Sequence, residues 1–414
     1  MTTKFWLGQA DEVAQVSTVQ ITAYDATTNY KMTIGGEVVS VVGTTDADGT
    51  ASALQVALEA STHPYFTGIA FTVSTDTVTM TASTAGAPFT ATSSVTGGTG
   101  TIGSVTEATA NSGPCDWSVG DNWSDGAVPA NGDTVIFREN AVNVSYGLDN
   151  NSLTLVDLLV EQTYTGKIGL NRNAMVTSAD GETVDTSKPE YREDFLRVDV
   201  DTIEIGKHVG FGRAAGSGRI KISNESTDAA TITIFNTASV ATESTLTPVR
   251  LKTAHANTDI YIRSGNIGLG IDEPEENCTV GDIFLNGSSS ELYMGAGASF
   301  ENMVQSDGQS LLQSDATVTS IKLLGGNMTT EGDFTVITFT VEDGTCNPNH
   351  KKTAGNAITT FNLNGGTVRG NQTSEPRTWA TVNMDVGGSL VVDPNQVTMT
   401  ALNDPTDEYT VAYS

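Results

Sequence analysis

Cysteine and histidine are scarce in this chain of 414 residues, and neither is arranged as a functional cluster. The three cysteines, Cys115, Cys278 and Cys346, show no CxxC spacing and cannot all pair within one chain. So odd and sparse a count is typical of a protein that folds in a reducing cytoplasm. The four histidines lack the HxH or HExxH spacing of zinc sites and indicate no Ser-His-Asp arrangement.

Long apolar runs and a secretory signal are also missing. No apolar stretch approaches the roughly 18 residues that a membrane-spanning helix needs. The first residues, MTTKFWLGQADEV, lack the basic region and the following apolar region of a secretory signal. We therefore expect no membrane insertion, and we expect the protein to be made and assembled in a cytoplasm.

Basic residues are outnumbered, with 20 Lys and Arg against 49 Asp and Glu and a net charge of −29. A field of this sign repels nucleic-acid phosphates and anionic membranes, so we expect no nucleic-acid partner. One interpretation of the acidity is that it keeps a large surface soluble and blocks edge-to-edge aggregation. The other is that it binds cations or a basic partner surface.

Short β-prone runs separated by glycine-containing turns are what the sequence does contain. In the C-terminal half an apolar run, a glycine-polar step and a second short run recur. The repeat reads DIFLNGSSSELYMG at residues 282–295, IKLLGGNMTTEG at 321–332, FNLNGGTVRGN at 361–371 and NMDVGGSLVVDP at 383–394. Repeats of this length are typical of solenoids. We predict a mainly β protein, with a small α+β N-terminal module followed by a right-handed parallel β-helix.

The pattern along the chain predicts five segments. Residues 1–94 combine strands of period two with an Ala-rich helical stretch at residues 48–61, which indicates a compact sheet-plus-helix docking module. Residues 95–113 are rich in Gly, Thr and Ser and predict a linker or a loosely packed strand. The remaining segments are the solenoid entrance or cap at 114–137, the β-solenoid at 138–400, and a C-terminal cap or inter-subunit tail at 401–414.

The N-terminal segment resembles a small module of phage virion and tail-associated proteins. The words that carry the resemblance are YKMTIGGEVVSVVGT, ASALQVALEAS and VTMTASTAGAPFTATSS. The word CDWSVGDNWSDGAVPANGDTVIF, at residues 115–137, resembles the entrance of β-solenoids in autotransporter-like surface proteins. Together these resemblances imply a tailed-phage virion structural protein. The alternative for the first segment is that any sheet-plus-helix module with an Ala-rich helix would look similar.

Five residues of the entrance word are predicted to form a structural cap. The two tryptophans offer large apolar faces for covering the first turn, while the proline and glycine set the turn into the next strand. The alternative is that the tryptophans stack on sugar rings. The residues are Trp117, Trp123, Pro129, Gly132 and Asp133.

The densest carboxylate cluster lies in the word IDEPEENCTVGD. It is interpreted as a solvated turn, since Pro274 interrupts any strand there, as a Ca²⁺ site, or as an acid paired with a nucleophile or base for glycoside cleavage. We predict no catalytic and no cofactor-binding residues, and Ca²⁺ is the one candidate cofactor. The candidate metal ligands are Asp272, Glu273, Glu275, Glu276 and Asp282.

These features together predict a non-enzymatic phage virion structural protein. Its acidic solenoid would project from the capsid or tail surface as a decoration, fibre or spike, with a host cell-surface glycan as a candidate ligand. Its partners would be other virion proteins and further copies of itself in a homotrimer, and its location the virion surface after assembly in the host cytoplasm. One alternative is a tailspike-type polysaccharide depolymerase, which the low aromatic content of 7% disfavours. A bacterial adhesin or surface-layer protein is the other, disfavoured by the missing export signal.

Overall fold

A computed structural model describes residues 2–169, 195–207, 220–237, 247–271, 277–350, 352, 355–371, 376–385, 387–403 and 411–413. The predicted fold class is confirmed. The protein is mainly β, with a parallel β-solenoid of about 10 turns from residue 134 onward and a small α+β part before it. The right-handed winding of the solenoid stays a prediction. Among the described residues, no helix is long and apolar enough to span a membrane.

Short strands make up nearly all of the regular structure. The N-terminal elements are β1 (Thr3–Phe5), β2 (Val16–Ala23), β3 (Asn29–Ile34), β4 (Glu37–Val42), α1 (Ala47–Ala60), α2 (Pro64–Thr67), β5 (Ile69–Ser74), β6 (Thr77–Ala82), β7 (Ala91–Thr96), β8 (Thr101–Ile102) and β9 (Thr106–Thr109), followed by a 3₁₀ turn at Gly120–Asn122. The later strands are β10 (Thr134–Phe137), β11 (Asp149–Glu161), β12 (Leu196–Lys207), β13 (Ile220–Asn224), β14 (Thr231–Ile234), β15 (Val249–Thr253), β16 (Asp259–Ile262), β17 (Gly265–Leu269), β18 (Cys278–Leu285), β19 (Ser290–Met294), β20 (Ala298–Gln305), β21 (Gln309–Leu312), β22 (Val318–Leu323), β23 (Asn327–Thr330), β24 (Val336–Val341), β25 (Thr345–Pro348), β26 (Ile358–Leu363), β27 (Thr367–Gly370), β28 (Arg377–Met384), β29 (Ser389–Val392), β30 (Val397–Asn403) and β31 (Val411–Tyr413).

The α+β module packs one long helix against two antiparallel sheets. One sheet contains β5, β6, β2, β8 and β9, and the other has the order β4-β3-β7. Asp46 caps the start of helix α1, where its side chain accepts a hydrogen bond from the backbone N of Gly49 at 2.7 Å. Its buried residues Ala51, Leu54 and Leu58 recur at helical spacing and enter the module core. The predicted helix is thus confirmed.

The Gly-, Thr- and Ser-rich stretch at 95–113 agrees with the strand alternative that its composition left open, and differs from the linker. Two short strands, β8 and β9, lie within it and both pair with β2. Three spaced apolar side chains, Val95, Ile102 and Val105, pack against the module core. A few such contacts are enough to hold β-prone Thr residues in a sheet. This stretch therefore belongs to the module.

The first strand belongs to the solenoid, although the sequence pattern grouped it with the module. Strand β1 pairs in parallel with β10, with Thr3 opposite Thr134 and Phe5 opposite Ile136. The intervening chain leaves and returns at one point, where Val13 and Ser112 exchange backbone hydrogen bonds of 2.9 and 3.3 Å. The module is therefore an insertion between two neighbouring strands of the solenoid.

The solenoid wall is built from two alternating series of strands. From β12 onward each strand pairs in parallel with the second strand after it, so β22 lies beside β24 and β23 beside β25. The ladder between β22 and β24 skips one pair without losing register, since Val318 pairs with Val336 and the next pair is Ser320 with Thr338. Each turn therefore covers the previous one in register.

The core is a set of stacked columns of apolar side chains. In-register parallel pairing places equivalent side chains of successive turns about 4.8 Å apart on the same face. One column contains Ile232, Ile260, Ile283, Met303, Ile321, Phe339, Phe361 and Val382. Gln305 is a buried polar residue in another column, between Leu285 and Leu323. Its amide nitrogen donates to Gly308 O and Asn327 O, and its amide oxygen accepts from Ser310.

The predicted C-terminal cap or tail, residues 401–414, is described only in part. Residues 401–403 continue β30, which pairs with β28. Residues 411–413 form β31, which pairs with β29. These two pieces extend the two strand series by one further position each. The rest of the segment lies outside the described residues.

Candidate functional site: a charged cleft on the solenoid wall

The tryptophans of the entrance word lie at the N-terminal end of the solenoid core. Trp123 contacts Trp117 and Trp6 edge to face, with ring centroids 4.6 and 5.1 Å apart. Its indole nitrogen donates to the Trp117 carbonyl oxygen at 2.9 Å. All three rings are 1% exposed and belong to the same core cluster as Phe137. At this exposure Trp117 and Trp123 offer no ring face to a sugar.

The other entrance residues organise the turn into β10. Asp133 accepts hydrogen bonds from the backbone N of Thr2 at 2.8 Å and of Ala130 at 3.1 Å. Gly132 adopts a φ of 84°, which favours glycine, and its N–H donates to the Thr154 carbonyl. Pro129 is buried within the same turn. The turn therefore holds the first residues of the chain against the first solenoid turn.

Most of the predicted carboxylate cluster cannot be placed. Asp272, Glu273, Glu275 and Glu276 lie outside the described residues. The fifth candidate, Asp282, is half-buried on the outer surface, where its Oδ1 accepts a hydrogen bond from the side-chain amide of Asn302 in the next turn at 2.9 Å. Across the described ranges, no group of three or more His, Cys, Asp or Glu is positioned to hold a metal ion. The Ca²⁺ site stays a prediction.

An open cleft of about 340 Å³ lies on the solenoid wall. We call it the wall cleft; its central residues are Phe195, Arg197, Ser223, Glu225 and Lys252. The parallel register sets Arg197 opposite Ser223 and Ser223 opposite Lys252 on three neighbouring strands. Two cationic residues therefore occupy alternate turns, about 10 Å apart along the backbone stack, with a hydroxyl between them.

A network of charges fixes the side chains of the wall cleft. Arg197 Nε lies 2.9 Å from Glu225 Oε1, and Arg197 Nη1 lies 3.3 Å from Asp149 Oδ1. The Ser223 hydroxyl donates to the same Glu225 oxygen at 2.8 Å. Partial burial tends to raise the pKa of Glu225, but the bonds from Arg197 and Ser223 outweigh it and hold the pKa below its ordinary value. Glu225 is therefore held in its charged form.

The backbone beneath the wall cleft is rigidly supported. Asn224, only 1% exposed, accepts hydrogen bonds from the backbone N of Val200 and of Ser226 and donates to the Val200 carbonyl oxygen. On the cleft wall, Lys252 Nζ lies 5.3 Å from the centroid of the Phe195 ring, within cation–π range. The cleft therefore presents donors and acceptors at fixed positions, which suits a hydroxyl-rich ligand better than an apolar one.

Sequence reasoning missed this cleft. Its residues occupy outward positions of three separate strands, in the words FLRVDV, GRIKISN and PVRLKT. The only local signal is that each cleft residue directly follows an apolar one: Arg197 follows Leu196, Ser223 follows Ile222 and Lys252 follows Leu251. That signal is weak, because outward positions of strands are commonly polar.

Replacing Arg197 by glutamine should raise the pKa of Glu225. The substitution removes the cation and the 2.9 Å contact that outweigh partial burial. The measurement is an NMR titration of the side-chain carboxyl carbons in protein labelled at glutamate. Lys322→Gln is the matched control, since Lys322 pairs with Glu342 at 3.3 Å. An unchanged Glu225 pKa in Arg197→Gln would contradict this account of the cleft.

Comparison with known proteins adds no relative. No protein-family model matches this chain, and no curated protein is similar to it in sequence. Function is therefore inferred from the chain's own residues and their placement.

Proposed function

We propose that this protein is a non-enzymatic structural component of a phage virion, and that its acidic solenoid projects from the capsid or tail surface. The observation that carries the proposal is a solenoid of about 10 turns with a separate module inserted between two of its first strands. A single cluster of buried apolar side chains extends from Trp6 to Val397. A core of this kind makes a solenoid stiff along its axis, as a projecting element must be.

The N-terminal module is the proposed attachment point. It has its own hydrophobic core, separate from that of the solenoid. It is joined to the solenoid at the neck formed by Val13 and Ser112, so its outer sheets remain available for contact. The resemblance of its sequence to phage virion modules, which rests on the residues alone, is the reason for proposing a virion as the surface it attaches to.

A test of the proposal is to locate the protein on particles. Antibodies raised against the recombinant chain should label particles released from lysed source cells at regularly spaced surface positions in electron micrographs. Antibody pre-absorbed with the recombinant protein is the control and should give no label. Protein found only in the particle-free supernatant would overturn the proposal. Averaging the same images also tests the homotrimer and the contacts with other virion proteins that the sequence predicts.

A host glycan is the second candidate role, and the wall cleft favours it. Fixed charged and hydroxyl groups in a cleft of about 340 Å³ provide hydrogen bonds for one or two sugar residues. Glu225 does not suit the general-acid role in glycoside cleavage, because a general acid needs a raised pKa and that of Glu225 is lowered. Binding of the full chain on a glycan array should weaken in Arg197→Gln and persist in Lys322→Gln. Equal binding by both variants would exclude the wall cleft as the site.

A further inference from the structure

Strand β4 of the N-terminal module is an exposed sheet edge with apolar side chains. It forms the end of the sheet β4-β3-β7, and within the described part of the chain its one strand partner is β3. Val38 and Val42 are each 56% exposed, among the most exposed large hydrophobic side chains of the described residues. Val39 and Val41, on the opposite face, pack against the module core. The outward face of β4 therefore carries Val38, Ser40 and Val42.

The hairpin of β3 and β4 determines which backbone groups of β4 bond to β3 and which face the free edge. Gly43 N donates to Thr28 O at 2.9 Å, so the pair 28 and 43 is a hydrogen-bonded pair. In an antiparallel ladder such pairs alternate with non-bonded ones, which assigns the bonds with β3 to residues 37, 39 and 41. The N–H and C=O groups of Val38, Ser40 and Val42 consequently point away from β3, toward the free edge.

This edge lacks three of the usual protections against strand pairing. Natural sheets protect an edge with lysine, proline or a bulge. In β4, whose sequence is EVVSVV, neither lysine nor proline occurs, and the register with β3 runs without a shift from Glu37 to Val42. The one charged residue, Glu37, stands at the end of the strand. An edge of this composition is expected to have a partner strand in solution.

We propose that β4 pairs antiparallel with β4 of a second copy of this chain, about a twofold axis that passes through Ser40. With Ser40 opposite Ser40 of the second copy, each Val38 faces a Val42. The three outward-pointing residues are then all in hydrogen-bonded pairs, which gives about six N–H···O bonds across the axis. The N–H and C=O groups of Val38, Ser40 and Val42 already point toward the free edge, as this register requires.

The side chains agree with the same register. Two Val38–Val42 pairs lie on one face of the joined sheet, and β-branched cross-strand pairs stabilise antiparallel ladders. Glu37 falls opposite Gly43 of the second copy, so no like charges stand directly opposite each other. The contact is isologous and joins two chains, in contrast to the homotrimer expected from the sequence. It is independent of the proposed location on a virion.

Sedimentation velocity of the full chain tests the association. Wild type should sediment as a dimer of the 43.2 kDa chain at micromolar concentration. The double variant Val38→Lys/Val42→Lys places lysines opposite lysines and should weaken dimerisation by about 100-fold or more. Val56→Lys is the matched control, since Val56 is 61% exposed on α1 of the same module and should leave the dimer intact. A monomer, a trimer, or a dimer unaffected by the double variant would overturn the proposal.

Engineered cysteines test the register separately. A hydrogen-bonded antiparallel pair has its Cα atoms about 5.5 Å apart, within the range that a disulfide spans. Ser40→Cys should therefore form a disulfide-linked dimer under mild oxidation, in a Cys115→Ser background because Cys278 and Cys346 are buried. Val38→Cys should not, since position 38 faces position 42. A linked Val38→Cys dimer together with an unlinked Ser40→Cys monomer would contradict the twofold axis at Ser40.

Discussion

Replacing Trp123 by alanine is expected to lower the free energy of unfolding by about 4 kcal/mol, the scale measured for buried tryptophan and phenylalanine truncations. The ring is 1% exposed and touches Trp6 and Trp117 at 5.1 and 4.6 Å between centroids. Its loss leaves a cavity beneath β1, which Trp6 anchors. Urea denaturation followed by circular dichroism measures the change, and amide hydrogen exchange should quicken in residues 3–6. Unchanged exchange there would contradict an anchoring role for Trp123.

A pair of tryptophan-to-phenylalanine variants separates packing from hydrogen bonding. Trp123→Phe removes a bond of 2.9 Å to the Trp117 carbonyl and leaves that oxygen buried. Trp379 is also fully buried, but the described part of the chain offers its indole N–H no acceptor. We expect Trp123→Phe to cost about 1 to 2 kcal/mol more than Trp379→Phe. Equal losses would show that the indole bond of Trp123 adds nothing to stability.

Acidification from pH 6.5 to 4 is expected to cost the solenoid about 3 kcal/mol through one side chain, His350. Its ring is fully buried against Phe334, with centroids 4.4 Å apart. Nε2 lies 3.0 Å from the Ala357 carbonyl oxygen, which only accepts, so Nε2 carries the hydrogen and Nδ1 faces the Thr330 hydroxyl at 2.5 Å. The ring is therefore placed as a neutral imidazole.

The sign of the effect follows from the pKa of His350. Burial, helped by the charge of Arg377, lowers this pKa from 6.5 to about 4. Below pH 6.5 the unfolded chain takes up a proton that the folded chain refuses until about pH 4, so stability falls across that window. At 1.36 kcal/mol for each pH unit, the loss reaches about 3 kcal/mol.

The variant His350→Asn isolates this contribution from the carboxylates that titrate in the same range. It should be less stable than wild type at pH 7, because the packing against Phe334 is lost. Its urea midpoint should nevertheless fall less than that of wild type between pH 7 and 4. Parallel pH profiles for the two proteins would exclude His350 as the source of acid sensitivity.

The solenoid could be predicted because its repeat is local. In the phrase around Ile321 and Leu323, two apolar residues at a spacing of two precede a glycine turn, and Phe361 and Leu363 repeat the arrangement. In the structure each of these four side chains is buried in the core. Short-range alternation of this kind records which face of a strand is inward. It requires no knowledge of the partner strand.

The wall cleft and the place of β1 could not be predicted, because both depend on register between distant residues. Arg197, Ser223 and Lys252 are 26 and 29 residues apart, whereas later turns such as Asn327 to Thr345 take 18. Irregular turn lengths leave the vertical neighbours of a residue undetermined from sequence. For β1, only three residues pair with β10, too few for any periodicity to reveal.

The insertion of the module into the solenoid has a consequence for synthesis on the ribosome. Strand β1 is made first, yet its partner β10 emerges only after residues 6–133 have been translated. If the module folds in the meantime, the neck at Val13 and Ser112 shortens the free loop to two brief segments and lowers the entropy cost of joining β1 to β10 by about 1 kcal/mol. Strand β1, the first to be synthesised, is therefore among the last parts of the N-terminal region to pair. A ribosome paused before residue 137 holds a folded module whose preceding strand β1 is still unpaired.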